Sequence, residues 1–491
     1  MARVRESIPQ PTQGTVQGGA RSQGGGLAGA ALPGRIHLLG AGGAGLSGAG
    51  RMLAALGHRI TGHDREASPF TAALGEAGVQ IGFGPSAAEH LPEDAELVVR
   101  SAAVSTEDPQ VAAARDRGIE VIKYAQLVGR MCPAGRTLAV AGTHGKTTTS
   151  WMLHGALANV GGPSAGALVG GLHRDHGVNA VVPDPGGWFA VEACEYDRSF
   201  LQIAPTGAIV TNLEADHLDC YGSFAELERA FCRFVNSVDP QGLVVLGADV
   251  PESLAEASRA PVLRMGIELN VDLVGESRGV FRFGLRGPGW ATPPVQLSAP
   301  GRFNVDNAAL AVALAVGLGR VAPASAARGV SEYPGAARRF DPWGEPGGIP
   351  IVHDYAHHPT ELRVTLETAR RAFPRRELHV LFQPHQASRT ARCMNGFVEA
   401  LRGMGRVVVA DVYGARKHID RMEGADAETL VARLRRAGVD AVVGGAPREA
   451  AMVLCDGLTA KSAAFVLGAG DIDQVEGDLT DAVALRFAQG R

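Results

Sequence analysis

Short apolar runs alternate with longer segments of helical period along most of the chain. The runs cover residues 36–39, 96–99, 138–141, 208–210, 243–246, 349–352, 378–382, 407–410 and 464–467. Regular alternation of strands and helices is typical of parallel sheets with crossover helices, so we predict an α/β fold. A run this short also fits a buried turn of helix, and that alternative stays open for each run taken alone.

Two breaks in this pattern divide the chain. Residues 131–135 and 333–338 contain proline and glycine next to a new apolar run. They predict three α/β domains, at residues 35–133, 134–337 and 338–491. Residues 1–34 are rich in Gly, Gln and Pro without periodic hydrophobicity, which predicts a flexible tail.

Charge and composition exclude several classes of protein. The net charge of −4 argues against nucleic-acid binding, and the longest uncharged apolar run, residues 308–319, is too short to span a membrane. The six cysteines form no CxxC pair, and no apolar signal region follows the first basic residues. We therefore expect a cytoplasmic monomer or homodimer without membrane insertion.

The first glycine-rich loop, residues 40–45, fits the pattern GxGxxG. It follows an apolar run and precedes a predicted helix over residues 46–56, and Asp64 ends the next predicted strand. Glycines allow backbone N–H groups to approach a diphosphate at a helix N-terminus. The loop predicts a diphosphate-bearing ligand, although a ligand-free strand–helix turn has the same pattern.

A second loop is more specific, because an apolar strand runs into Gly-Thr-His-Gly-Lys-Thr-Thr at residues 142–148. Its N–H groups can hold ATP phosphates, Lys146 can reach the β- and γ-phosphates, and the Thr147 hydroxyl can bind Mg²⁺. Val140 stands where a strict Walker A motif has glycine, so we predict a shortened phosphate loop. The predicted ATP-binding residues of the loop are Gly142, Thr143, His144, Gly145, Lys146, Thr147 and Thr148.

Carboxylates and a histidine follow the two next apolar runs. Glu192 directly follows the run at residues 188–191, and His217 lies in residues 214–219, shortly after the run at residues 208–210. Carboxylates at the ends of parallel strands beside a phosphate loop can complete a magnesium site, although acidic residues there also serve as helix caps.

The motif at residues 142–149 resembles the signature of the Mur ligases, ATP-dependent amide-forming enzymes of peptidoglycan synthesis. The glycine loop, Ser101-Ala-Ala-Val, Gly301-Arg-Phe-Asn and His353-Asp-Tyr-Ala-His-His are further similarities, in order along the chain. The resemblance implies a Rossmann-like UDP-binding domain, a central ATPase domain and a C-terminal Rossmann-like domain. It assigns the metal to Thr147, Glu192 and His217, and further ATP contacts to Asn304, Asn307, Arg339 and Asp354.

The resemblance is closest to the branch of the family that joins L-alanine to UDP-N-acetylmuramate through an acyl phosphate. It implies that the reacting groups lie near Lys146, His357, His385 and Arg389. The UDP-sugar would contact Gly40, Gly42, Gly43, Gly45, Ser47, Asp64, Ser101 and Tyr355. No third metal ligand is evident in the sequence near His357 and His358, so we expect no histidine metal site there.

Three positions depart from the family pattern: Cys194 replaces Asp, Phe303 replaces His and Gln386 replaces Arg. They keep a non-catalytic nucleotide-sugar sensor open as an alternative. A ligase that joins a murein tripeptide to the same nucleotide sugar is a second alternative, and an NAD-dependent dehydrogenase built on the first loop is a third.

Overall fold

The computed structural model describes residues 32–158, 162–414 and 424–488 of the chain. Four β-sheets follow one another along these residues, and three of them are largely parallel with crossover helices. The predicted α/β fold is therefore confirmed.

The first sheet is parallel throughout and has the strand order β3-β2-β1-β4-β5. Its strands are β1 (Arg35–Leu39), β2 (Arg59–Asp64), β3 (Gln80–Phe83), β4 (Leu97–Arg100) and β5 (Glu120–Lys123). Its helices are α1 (Ala44–Ala55), α2 (Pro69–Glu76), α3 (Pro109–Asp116) and α4 (Tyr124–Met131). The order reverses at β1, so ligands are expected at the carboxyl ends of β1 and β4.

The second sheet contains the phosphate loop and has the order β12-β11-β10-β6-β9-β7-β8, with only β8 antiparallel. Its strands are β6 (Thr137–Ala141), β7 (Gly166–Leu168), β8 (Ala180–Val181), β9 (Phe189–Glu192), β10 (Gly207–Val210), β11 (Leu243–Leu246) and β12 (Val262–Arg264). Its helices are α5 (Lys146–Ala158), α6 (Leu218–Tyr221), α7 (Phe224–Asn236) and α8 (Glu252–Ala257). Every residue of β6 is buried, because helices cover both faces of the sheet.

A small antiparallel sheet follows, which the sequence analysis did not predict. It consists of β13 (Asn270–Ser277), β14 (Val280–Gly287), β15 (Trp290–Ala291) and β16 (Val295–Gln296). Two helices then complete this part of the chain, α9 (Arg302–Gly317) and α10 (Pro323–Ser331). α9 is buried from Ala308 to Val316 and packs against α5, which contributes the phosphate loop's helix N-terminus.

The last sheet has the order β17-β18-β22-β19-β20-β21 and is parallel except at β17. Its strands are β17 (Asp341–Gly344), β18 (Ile351–Asp354), β19 (Glu377–Phe382), β20 (Arg406–Ala410), β21 (Ala441–Gly445) and β22 (Ser462–Leu467). Its helices are α11 (Pro359–Ala372), α12 (Ala387–Leu401), α13 (Ala427–Arg436), α14 (Pro447–Gly457) and α15 (Glu476–Ala488).

Each apolar run of the sequence lies in a strand, with ends that differ by up to two residues. The expected run at residues 349–352 becomes β18 at Ile351–Asp354, for example, and the predicted helix at 46–56 begins at Ala44. The predicted tail lies outside the described residues up to residue 31, while Leu32 packs against the first core. The exact domain boundaries stay predictions. No helix among the described residues is long and apolar enough to cross a membrane.

Candidate active site

The phosphate loop, residues 142–145, turns from the end of β6 into α5. Gly142 has a φ of +135°, and a Cβ there would overlap the Thr211 hydroxyl. Thr211 donates from Oγ1 to the carbonyl of His144 at 2.6 Å, and the Asn212 side chain accepts from the His144 N–H at 2.8 Å. These contacts fix the loop at a helix N-terminus, which is a favourable place for phosphate.

Lys146 points back over this loop. Its Nζ donates to the carbonyls of Gly142 at 2.6 Å and Thr143 at 3.0 Å, and to Glu195 Oε1 at 3.0 Å. Burial lowers the pKa of Lys146, but the charge and hydrogen bond of Glu195, which is 2% exposed, together with the nearby Cys194 and Glu192 outweigh burial and raise the pKa. The lysine therefore stays charged. The sequence analysis did not identify Glu195, although it lies three residues after Glu192.

Two of the three predicted metal residues are in contact. Thr147 Oγ1 donates to Glu192, at 3.1 Å from one carboxylate oxygen and 3.0 Å from the other. The N–H of Gly170 donates to the same carboxylate at 2.7 Å. His217, the third predicted ligand, has its Nε2 3.5 Å from Glu195 Oε1, so it lies beside the partner of Lys146.

A cavity of about 260 Å³ opens next to the phosphate loop and is lined from both the second and the last sheet. Predicted ATP-binding residues in its wall are His144, Gly145, Thr147, Thr148, Asn304, Asn307, Arg339 and Asp354. Phe303, which replaces the family's histidine, also lines it. Gly142, Thr143 and Lys146 do not line the cavity and make the contacts described above.

The two asparagines stand at the start of α9. Asn304 donates from its side chain to the carbonyl of Pro300 at 2.6 Å, and Asn307 donates to Asn304 Oδ1 at 3.1 Å. A Cβ on Gly145 would lie 2.7 Å from Asn307 Oδ1, so α9 touches the phosphate loop directly. The glycine is needed for this close approach.

Asp354, at the end of β18, organises the opposite wall. Its carboxylate accepts from the N–H groups of Phe340 at 2.7 Å and Ala356 at 2.8 Å. Burial raises the pKa of Asp354 to about 6, although the charge of Arg339 and these hydrogen bonds act in the opposite direction.

Glu361, in the first turn of α11, connects the two walls, and the sequence analysis did not identify it. Its carboxylate accepts from the N–H groups of His357 at 3.0 Å and His358 at 3.2 Å. His144 Nδ1 of the phosphate loop lies 3.3 Å from Oε1, and an Arg339 nitrogen lies 3.9 Å away. Burial raises the pKa of Glu361, but these charged neighbours outweigh it and hold the pKa well below the usual value.

The predicted substrate residues of the last sheet form one cluster. The ring centroids of Tyr355 and His357 are 5.3 Å apart, and those of His357 and His385 are 5.6 Å apart. An Arg389 nitrogen lies 3.3 Å from His385 Nδ1. Burial lowers the pKa of His357 to about 4 and that of His385 to about 3, so both rings are neutral near pH 7.

Arg389 also connects this cluster to the second sheet, called the central sheet below. Its Nη2 donates to Asp216 Oδ1 at 3.3 Å, and both side chains are more than nine-tenths buried. Asp216 comes from the loop after β10, and the sequence analysis did not identify it. Gln386, where the family has arginine, has a φ of +66° and immediately precedes α12.

The first glycine loop forms a separate group. Gly40 has a φ of +76° and packs against the Ser101 side chain. The N–H of Gly42 donates to Asp64 Oδ2 at 2.7 Å. Gly43 precedes α1, and Ser47 donates from its hydroxyl to the carbonyl of Ala44 at 3.0 Å. None of these loop residues lines the cavity beside the phosphate loop.

Tyr124 of α4 packs on this loop, and Asn179, immediately before β8, connects the loop to the second sheet. A Cβ on Gly45 would lie 2.6 Å from the Tyr124 hydroxyl, and the Asn179 side chain donates to the carbonyl of Ala44. Burial, followed by the nearby charge of Glu192, raises the pKa of Tyr124.

Comparison with known proteins explains this arrangement. The Mur ligase family, catalytic domain, matches residues 35–135, the Mur ligase middle domain matches 140–315, and the Mur ligase glutamate ligase domain matches 338–471. The chain belongs to the Mur ligase family. The resemblance inferred from the sequence motifs is thereby confirmed.

Relatives within the Mur ligase family cover most of the chain. A UDP-N-acetylmuramate–L-alanine ligase of Xanthomonas oryzae is 37% identical over 90% of this chain and 94% of its own, and one of Rubrobacter xylanophilus is 40% identical over 78% and 85%. The crystal structure of UDP-N-acetylmuramate–alanine ligase from Thermotoga maritima superimposes with a TM-score of 0.77 at 26% identity, covering 93% of this chain and all of that one.

Proposed function

We propose that the chain catalyses the ATP-dependent joining of L-alanine to UDP-N-acetylmuramate, giving UDP-N-acetylmuramoyl-L-alanine, ADP and phosphate in peptidoglycan synthesis. The observation that carries this proposal is the 37% identity over 90% of the chain to a relative named for that reaction. The phosphate loop with its buried Lys146–Glu195 pair supports the ATP-dependent step.

The three substrates take different places in this proposal. ATP binds in the cavity at the phosphate loop, with its adenine near Asn304 and Asn307 and its phosphates near Lys146 and Arg339. The diphosphate of the UDP-sugar binds at the first glycine loop, since Gly42 and Gly43 precede the N-terminus of α1. The muramate carboxylate and L-alanine meet near His357 and Arg389.

Mg²⁺ fits the contact between Thr147 and Glu192. A hydroxyl and a carboxylate within hydrogen-bonding distance offer the oxygen ligands that this ion prefers. His217 would complete the set from beside Glu195. When bound, the ion neutralises charge on the phosphate oxygens.

Amide formation from a carboxylate requires activation, because the carboxylate oxygen is a very poor leaving group. The muramate carboxylate attacks the γ-phosphorus of ATP, the bond to ADP breaks, and an acyl phosphate forms. The neutral amine of L-alanine then attacks the carbonyl carbon, and phosphate leaves with the carboxylate oxygen. Lys146, Arg339 and Arg389 offer cations to the oxygens on which charge develops.

Neutral histidines suit the second step. His357 and His385 have lowered pKa values, so both are neutral near pH 7. His357 donates from Nδ1 to the carbonyl of Tyr355, so the lone pair on its Nε2 can accept the proton lost by the attacking amine, whereas Nδ1 of His385 accepts from Arg389. The alternative of a dehydrogenase gains no support, because both glycine loops fall within Mur ligase models. The proposal includes a cytoplasmic location and a monomer or homodimer.

Mass spectrometry of the products tests the proposal. The purified chain is incubated with ATP, Mg²⁺ and UDP-N-acetylmuramate, together with L-alanine, glycine, L-serine or the murein tripeptide. We expect the L-alanine amide to form fastest. Faster formation of the tripeptide product would identify the recycling ligase, and phosphate release without any amide would identify a nucleotide-sugar sensor.

A further inference from the structure

Three potential metal ligands meet at the phosphate loop, apart from Thr147 and Glu192. They are His144 of the loop itself, Glu214 from the segment after β10, and His358 immediately before α11. One ligand atom of each residue lies within 4.8 Å of the other two. The sequence analysis found no third ligand near His358, because the other two are far away in the chain.

The distances are close to those of a metal site. His144 Nε2 lies 3.5 Å from Glu214 Oε2, and His358 Nδ1 lies 4.0 Å from the same oxygen. Tetrahedral zinc, with bonds of roughly 2.1 Å, places its ligand atoms about 3.4 Å apart. His144 therefore already lies at the distance from Glu214 that a metal requires. His358 must move about half an ångström closer to Glu214, and its ligand atom, which lies within 4.8 Å of that of His144, must also approach His144.

The surroundings of His144 are those of a metal ligand. Its Nδ1 lies 3.3 Å from the buried carboxylate of Glu361, and its buried Nε2 lies 3.5 Å from Glu214 Oε2. Burial lowers the pKa of His144, but these two carboxylates outweigh burial and raise the pKa to about 9, so a metal ion would replace the proton on Nε2. Histidines that bind metals usually donate their other ring N–H to a carboxylate, which fixes the tautomer and aims the free nitrogen at the ion. Here that nitrogen faces Glu214.

Other contacts of the cluster are compatible with an ion. The Thr360 hydroxyl donates to Glu214 Oε2 at 2.9 Å, which leaves the second oxygen lone pair for a metal. The N–H of Thr360 lies 3.4 Å from His358 Nδ1, a long hydrogen bond that metal coordination would replace.

We propose that His144, Glu214 and His358 form a binding site for a divalent transition metal of the Zn²⁺ class. Two imidazoles and one carboxylate are a donor set that selects zinc over magnesium. Because Glu214 follows β10 and His358 precedes α11, the bound ion ties the phosphate loop to the last sheet. This site differs from that of Thr147 and Glu192, and it does not depend on the proposed ligation reaction.

Cobalt titration of the ATP-free, tag-free chain tests this site, since Co²⁺ in a four-coordinate nitrogen and oxygen site absorbs strongly in visible light. We expect one equivalent to bind with such a band, and Zn²⁺ to displace it. His358→Gln and Glu214→Gln should each weaken Co²⁺ binding by at least about tenfold. Thermal unfolding without metal shows whether each variant remains folded.

Two matched controls separate this site from others. His90→Gln removes a histidine outside the cluster, and Glu192→Gln alters the predicted magnesium site; neither should change the cobalt band. The proposal is overturned if the unmodified chain gives no four-coordinate band, or if the folded variants His358→Gln and Glu214→Gln bind Co²⁺ as tightly as the unmodified chain.

Discussion

Replacing Lys146 with methionine separates its role at the phosphates from its role in the fold. The substitution keeps the length of the side chain and removes one charge. If Lys146 stabilises the transferring phosphoryl group, K146M should lower kcat by about 10²–10³, as expected for loss of one preorganised donor. Binding of UDP-N-acetylmuramate should persist, because the first glycine loop lies in a different sheet.

The same change leaves Glu195 without its cation. That carboxylate is 2% exposed, and removing one partner of a buried pair costs roughly 3–5 kcal/mol. For a domain of the size predicted for residues 134–337, the melting temperature of the variant should therefore fall by about 10 °C.

The double variant K146M/E195Q distinguishes the two effects. Removing the uncompensated carboxylate should restore most of the melting temperature, while phosphate release stays at the level of K146M. Calorimetry with UDP-N-acetylmuramate checks the first loop in both variants. The reasoning is refuted if the double variant regains turnover, or if it folds normally and no longer binds the nucleotide sugar.

Three further outcomes follow from the site. Thr147→Val should raise the Mg²⁺ concentration needed for half-maximal ATP turnover at least about tenfold, and an unchanged magnesium titration would remove Thr147 from the metal site. In Arg389→Lys the ammonium group cannot reproduce the guanidinium contacts to Asp216 and His385. The value of kcat/KM for UDP-N-acetylmuramate should therefore fall about tenfold, while ATP affinity, measured by calorimetry, is kept. An equal loss of ATP affinity would contradict this. The pKa of His357 is lowered to about 4, so as the pH falls below about 6.5 this residue takes up a proton in the unfolded chain before it does so in the folded one. His357 should therefore reduce the free energy of unfolding progressively between pH 6.5 and 4. Denaturant unfolding of His357→Asn should show a smaller decrease in that free energy over the same range, and a pH profile identical to that of the unmodified chain would refute the burial argument.

Local sequence predicted the strands and the phosphate loop well, because both depend on residues that are neighbours in the chain. The residues of β6 and residues 142–148 determine their structure locally, with a buried strand, glycines for the turn and a lysine at the start of a helix. The resemblance to a known family then indicated which motifs, distant from one another in the chain, belong to one site. His357, His385 and Arg389 do lie together, as that resemblance implied.

The partners of these residues were not predictable in the same way. Glu361 reaches His144 across 217 positions of the chain, and Asp216 reaches Arg389 across 173. Such pairs depend on how the last sheet sits against the central one, which no local pattern reports. Acidic residues after strands are also common helix caps, so their type alone does not distinguish a partner of the site.

The antiparallel sheet is a different case, since its signal was present in the sequence. Phe281, Phe283 and Leu285 alternate along β14 and are buried on one face. The neighbouring strand β13 is almost entirely exposed, so it lacks the matching alternation. One strand of clear period without a partner of the same period was not enough to predict a sheet.

Oxygen transfer tests the central claim most directly. UDP-N-acetylmuramate labelled with ¹⁸O in its carboxylate is incubated with ATP, Mg²⁺, L-alanine and the chain, and the released phosphate is analysed by mass spectrometry. An acyl phosphate requires the bond between the carbonyl carbon and the labelled oxygen to break, so each phosphate should carry one ¹⁸O. Amide formation with unlabelled phosphate would contradict activation of the carboxylate by ATP.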